Sequence, residues 1–118
     1  MEMDICFEGI GQIAATFRTD GEVLPGMAVA LTKEGAVGIG ADGALPCGVV
    51  LGGVRGGAAA VQIGGAAKVG YSGSDAPEPG WQGLACDGQG GVKAVSTGGL
   101  KCLVLAADTQ DKTIVVKL

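Results

Sequence analysis

Residues 25–53 read "PGMAVALTKEGAVGIGADGALPCGVVLGG", and the period of their apolar residues decides the fold. Met27, Val29 and Leu31 recur at every second position, the spacing that puts side chains on one face of a strand. Glycine interrupts each apolar run and β-branched residues flank it, which disfavours helix on both counts. Working outward, Ala59, Val61 and Ile63 alternate in "GAAAVQIGG", and Ile114, Val116 and Leu118 alternate in "KTIVVKL". Asp20-Gly21, Asp42-Gly43 and Asp87-Gly88 are turn pairs, since both residue types tolerate positive φ. Short strands with frequent glycine turns predict an all-β domain, a compact β-barrel or sandwich with little helix.

The chain also repeats itself. Aligning Pro25-Gly26 with Pro79-Gly80, and allowing one inserted residue, matches Val37 with Val92 and Gly43 with Gly98. It also matches Leu45 with Leu100, Cys47 with Cys102, Val49 with Val104 and Val61 with Val116. Extended backwards, the first alignment puts Phe17 over Tyr71. A chance match between two Gly/Val-rich halves is the competing reading. Two β-units related by a pseudo-twofold explain more of the pairs. The expected layout is a single domain over residues 1–118, with unit one at about 9–63 and unit two at about 64–118. The loop "YSGSDAPEPG" (71–80) is expected to join them. Tyr71 before it and Trp81 after it are candidate protein-contact residues, the alternative being that they anchor the loop to the core.

"GIGADG", Gly38–Gly43, matches the dinucleotide fingerprint G-x-G-x-x-G. That fingerprint works only where its last glycines open a helix whose N-terminal amides face the phosphates. Here the chain continues "ALPCGVVLGG", with Pro46 and β-branched residues. The motif is read as a turn, and no cofactor is expected. A single "GIGADGAL" lacks the consecutive copies that a calcium-binding β-roll needs. "DTQDKT" (108–113) lacks the ligand ladder of an EF-hand loop. No metal site is expected.

Composition narrows the function further. The 118 residues contain no histidine. This removes the commonest general base, the His-activated nucleophiles and every imidazole metal site. Cys47 and Cys102 stand in apolar strands and read as buried thiols. No catalytic residue is assigned. Net charge is −4 and the basic residues are scattered singly, so nucleic acid is not an expected partner. The uncharged stretches Gly43–Val54 and Gly56–Ala67 are too short to span a bilayer. "MEMDICFEG" has no apolar run behind basic residues, so synthesis in the cytoplasm with reduced thiols is expected. Hydrophobic residues make up 47% of the chain. Such content in a small β-protein predicts apolar surface covered by a partner, most simply another copy.

From about Gly11 to the C-terminus the pattern becomes familiar. The stretches "GQIAATFRTDGEVLPGMAVALT", "GVV", "AAVQIGG", "YSG", "GLACDGQGGVKAV" and the terminal "KTIVVKL" carry it. Together they resemble small Gly/Ala/Val-rich structural proteins of tailed phages and prophages, of the head-decoration, capsid-stabilising kind. The resemblance implies a compact β-barrel or tulip-like fold, made in the bacterial cytoplasm and seated on the virion surface. Its partners would be the major capsid protein and further copies of itself, a trimer being favoured at local three-fold axes. The mechanism would be bridging of capsid subunits without chemistry. No contact residue is carried over from the family. A head-fibre or tail component and a small-molecule-binding β-barrel are the alternatives.

Overall fold

A computed structural model describes residues 11–118, and the stretch "MEMDICFEG" and the first residues of unit one lie outside the described residues. The described chain is all-β, with ten strands and no helix. In chain order they are β1 (Ile13–Thr19), β2 (Ala28–Lys33), β3 (Ala36–Ile39), β4 (Gly48–Arg55) and β5 (Ala58–Gly64). These are followed by β6 (Ala66–Gly70), β7 (Gly80–Cys86), β8 (Val92–Val95), β9 (Leu100–Asp108) and β10 (Thr113–Lys117).

The first five strands close a barrel in the order β1-β3-β2-β4-β5. β1 runs parallel to β3 and antiparallel to β5. The last five form a sheet in the order β6-β10-β9-β7-β8. A parallel bridge between Tyr71, just past β6, and Val92 in β8 links its outer strands. Substituting β6–β10 for β1–β5 in turn reproduces the same circular order. The main-chain bonds repeat as well. Asp20 N–H donates to the Val37 carbonyl as Ser72 N–H does to Val92, and Thr19 N–H donates to Gly57 as Tyr71 N–H does to Lys112. The second match explains why Lys112 carries a φ of 54°, since its counterpart Gly57 has a φ of 78°. A left-handed residue is required there, and only one of the two positions holds the glycine that adopts it freely.

Pairing registers correct three of the sequence matches. Thr19 pairs with Val37 as Tyr71 pairs with Val92, so Thr19 takes the place of Tyr71 and Phe17 corresponds to Val69. Val61 lies opposite Val50, and Val116 lies opposite Val104. In both units the register then slips, past Leu51 and past Leu105, a β-bulge that coils the strand at the same point. Val50 is therefore the counterpart of Val104, and Gly48 the counterpart of Cys102. Cys47 precedes its strand and is only half-buried, whereas Cys102 is inside β9 and buried. The reason is steric. A Cβ at position 48 would run into the Gln62 carbonyl and the Val61 side chain, so the first unit has no room for a cysteine there.

Two apolar clusters follow from the alternation. Val23, Val29, Val37, Val50, Ala59 and Val61 fill the first barrel, with Phe17 beside them. Val69, Leu84, Val92, Val104, Ile114 and Val116 sit at matching positions in the second, joined by Tyr71 and Cys102. Ala28 and Val49 belong to strands of the first barrel yet pack in the second cluster. Each is one residue from an interior position and so points outward. The void between the two units there is about 10 Å³, no more than one water needs. The chain passes from one unit to the other at Gly65, between β5 and β6. The 71–80 loop, expected to join the units, instead connects β6 to β7 within the second.

Candidate functional site

Of the fingerprint "GIGADG", only Asp42-Gly43 is a turn. Gly38 is inside β3 opposite Ala30, and Gly40 lies against Cys86 and the Ala30 methyl. These glycines permit close backbone packing: a Cβ on Gly38 would stand 2.5 Å from the Asp20 carbonyl oxygen. Gly43 has a φ of 93° and its counterpart Gly98 a φ of 78°, the left-handed conformation of a turn that occurs in both units. Asp42 forms an ion pair with Lys93 at 2.5 Å. Around it, Gly43 N–H donates to the Cys86 carbonyl and Cys86 N–H to the Ala44 carbonyl, each at 2.8 Å. This loop fastens the first unit to the end of β7.

The other candidates are also structural. Asp87 accepts from the amides of Gln89 and Gly91 through Oδ1, and Asp108 accepts from those of Gln110 and Asp111. Each carboxylate organises its own turn. Burial raises the thiol pKa of Cys47, Cys86 and Cys102, and at Cys86 the neighbouring negative charge of Asp87 adds to it. A thiol held neutral is a poor nucleophile. Among the described residues no three His, Cys, Asp or Glu side chains gather as metal ligands, and no helix is long and apolar enough to cross a membrane.

Tyr71 and Trp81 part company. Tyr71 is buried in the second cluster. Lys112 Nζ lies 5.4 Å from its ring centroid and donates to the Gly73 carbonyl at 2.7 Å, so this end of the loop is clamped. Trp81 is 60% exposed. It lies on β7 opposite Leu103, which lies opposite Lys117 on β10. The neighbouring rows of the same outer face hold Lys101 opposite Gly83, and Val115 opposite Lys68. Lys68, Lys101 and Lys117 are exposed, while Leu103 and Val115 are half-buried. Directly opposed residues share a face, so an indole and two aliphatic side chains are bordered by three ammonium groups.

A cleft of about 560 Å³ opens where the units meet, lined by Gln12, Pro25, Leu51, Gln62 and Lys68 among others. Gln62 is 2% exposed. Its Nε2 donates to the carbonyls of Gly64 and Ala66, at 3.0 and 2.8 Å, across the passage between units. Sequence reasoning missed it, although a lone amide inside the apolar run "AAAVQIGG" was the signal. The first unit exposes large apolar side chains too: Ile13, Leu24, Leu31 and Leu45 are each more than half exposed. Compared with known proteins, the chain matches no family model and is similar to none of the curated proteins.

Proposed function

We propose that the chain is a non-enzymatic structural protein that docks on a protein assembly, specifically a decoration protein bridging subunits of a tailed-phage or prophage capsid. One observation carries the docking reading: among the described residues, four of the five large hydrophobic side chains more than half exposed, Ile13, Leu24, Leu31 and Leu45, lie on the first barrel. Scattered exposed aliphatics are ordinary on a protein surface, but here Ile13 opens β1, Leu31 lies within β2, and Leu24 and Leu45 stand in loops, all of one closed unit. Complete burial of a leucine or isoleucine side chain contributes about 1.5–3 kcal/mol, so four such anchors suit attachment without bond-making. A closed barrel also offers no free strand edge, which leaves side chains as the means of contact. The choice of a capsid as partner rests on the resemblance described above.

The test is co-sedimentation of the purified protein with shells assembled from the capsid protein encoded beside it. Saturable binding at a fixed number of copies per capsomer is the expected outcome, with greater heat resistance of the shell. Leu31→Asp and Leu45→Asp should each weaken it at least tenfold while leaving the melting temperature of the free protein within a few degrees. Absence of binding to both unexpanded and expanded shells rejects the capsid reading.

A further inference from the structure

The turn between β8 and β9, "STGG" (96–99), rises beside Trp81. Trp81 and Gly83 are two residues apart on β7 and so share its outer face. A Cβ on Gly83 would lie 3.9 Å from the Gly99 Cα, so the turn folds back over that face. A hollow of about 170 Å³ results, lined by Gly83, Val95, Ser96, Thr97 and Lys101 together with the glycines of the turn. Ser96, Thr97 and Lys101 are exposed. Lys101 pairs with Gly83, and Trp81 with Leu103, which makes Lys101 the diagonal neighbour of Trp81, about 7–8 Å away. Lys117 lies opposite Leu103, two strand spacings or about 10 Å from Trp81.

Each part of this surface selects for a chemistry. The face of an indole is apolar and electron-rich, and it attracts C–H groups of partial positive charge, which a pyranose ring presents. Serine and threonine hydroxyls both donate and accept, as sugar hydroxyls require. Lys68, Lys101 and Lys117 demand negative charge, and they gather on one face of a chain whose net charge is −4. The hollow is smaller than the roughly 300–1,000 Å³ that a drug-sized ligand occupies, so it admits one ring of a longer chain. A polynucleotide fits less well. It is held by several stacking aromatics in succession, whereas here Trp81 is exposed and Tyr71 is buried. An acidic peptide also fits less well, since extended peptides pair with a sheet edge, and Trp81, Gly83 and Lys101 lie on the face of a sheet.

We infer that the second unit carries a binding site for an acidic polysaccharide, one built of carboxylate-bearing pyranose rings. One ring stacks on Trp81, and its hydroxyls meet Ser96 and Thr97 in the hollow. The carboxylates of this ring and the next pair with Lys101 and Lys117. These are charge-assisted hydrogen bonds, but the ammonium groups are exposed, so salt screens them and binding is readily reversible. The site is separate from the exposed leucines through which the first barrel is proposed to dock. Failure of either reading leaves the other standing.

Trp81 is the sole tryptophan, so its fluorescence reports the site directly in the full-length protein. Oligomers of galacturonate and of mannuronate are the probes. At least one should shift the emission to the blue and reach saturation, and its methyl ester, which keeps the ring and removes the charge, should bind about tenfold more weakly. Salt at about 1 M, where the screening length falls to ~3 Å, should weaken binding of the free acid and leave that of the ester unchanged. By calorimetry, Trp81→Ala and Lys101→Gln should each lower the affinity about tenfold. Lys33→Gln, which removes a lysine of the first barrel, should leave it unchanged. Both site residues are exposed, so the melting temperatures of these variants should stay within a few degrees. Absence of binding by both uronate oligomers up to about 10 mM overturns the proposal, as does equal affinity for the acid and its ester. Tighter binding of oligothymidylate or of polyglutamate overturns it in favour of a nucleic acid or an acidic peptide.

Discussion

At the residue scale, much of this molecule turns on which positions lack a Cβ and which groups are held away from water. Gly48 has the tightest surroundings, its missing Cβ being directed at the Gln62 carbonyl and the Val61 side chain. Gly48→Ala should lower stability by about 2 kcal/mol through overpacking against backbone that cannot move aside. Gly43→Ala meets open space but forces alanine into a φ of 93°, so a smaller loss of about 1 kcal/mol is expected. Urea denaturation of the two variants compares steric with torsional cost directly. The thiols add a pH dependence. Burial raises the pKa of Cys47, Cys86 and Cys102 in the folded chain, so as pH rises the unfolded chain loses its thiol protons first. Their contribution to stability is complete below the unfolded thiol value of about 8.5 and is lost as pH climbs past it towards the folded values. The urea midpoint should fall across that window, and Cys102→Ala should flatten the fall even though it lowers stability at neutral pH.

At the element scale, the period-two alternation located the strands because each side chain's face depends only on its place along one strand. Ala59 and Val61, and likewise Ile114 and Val116, lie inside as their spacing required. Partner choice was less legible. β1 pairs with β3 and β5, and β2 with β4, contacts between strands far apart in sequence whose register no local pattern encodes. The correspondence between units also shifts from strand to strand: Thr19 answers to Tyr71 but Gly48 to Cys102, so no constant offset aligns the halves, and Phe17 with Tyr71 and Cys47 with Cys102 fall out of step. The turns were more legible, since their chemistry is local. Asp108 accepts two amides in the β9–β10 turn, and Asp108→Ala should cost about 1 kcal/mol. Amide exchange should speed up in that hairpin first, with the Gln110 and Asp111 signals as the direct readout.

At the scale of the whole molecule, the two units are locked together by several devices at once. Ala28 and Val49 of the first pack in the core of the second. Ala28 N–H donates to the Gly90 carbonyl, and Leu118 N–H to Gly65, at 2.8 and 2.9 Å. Gln62 binds both sides of the passage between units. Each unit is only some fifty residues long, a size at which a core alone is marginal. The units should therefore unfold as one. Trp81 fluorescence, reporting the second unit, and far-UV circular dichroism, reporting both, should give coincident urea transitions. A separately expressed fragment 11–64 should lack the dispersed amide spectrum of a folded domain. Gln62→Leu should lower stability by about 1–3 kcal/mol, because the buried Ala66 carbonyl loses its partner and is offered no other.

The amino-acid sequence by itself determined the all-β class, several of its strands and its Asp-Gly turns, because periodicity and glycine–aspartate turns act over a few residues. It also removed imidazole chemistry, since no histidine is present. Only the tertiary structure decided which strands pair, where the bulges shift the register, and which aromatic is core. Tyr71 and Trp81 flank the same loop, yet one is buried and the other exposed. Their fates depend on which face of a sheet is closed by strands distant in the chain, and that is a property of packing rather than of neighbouring residues.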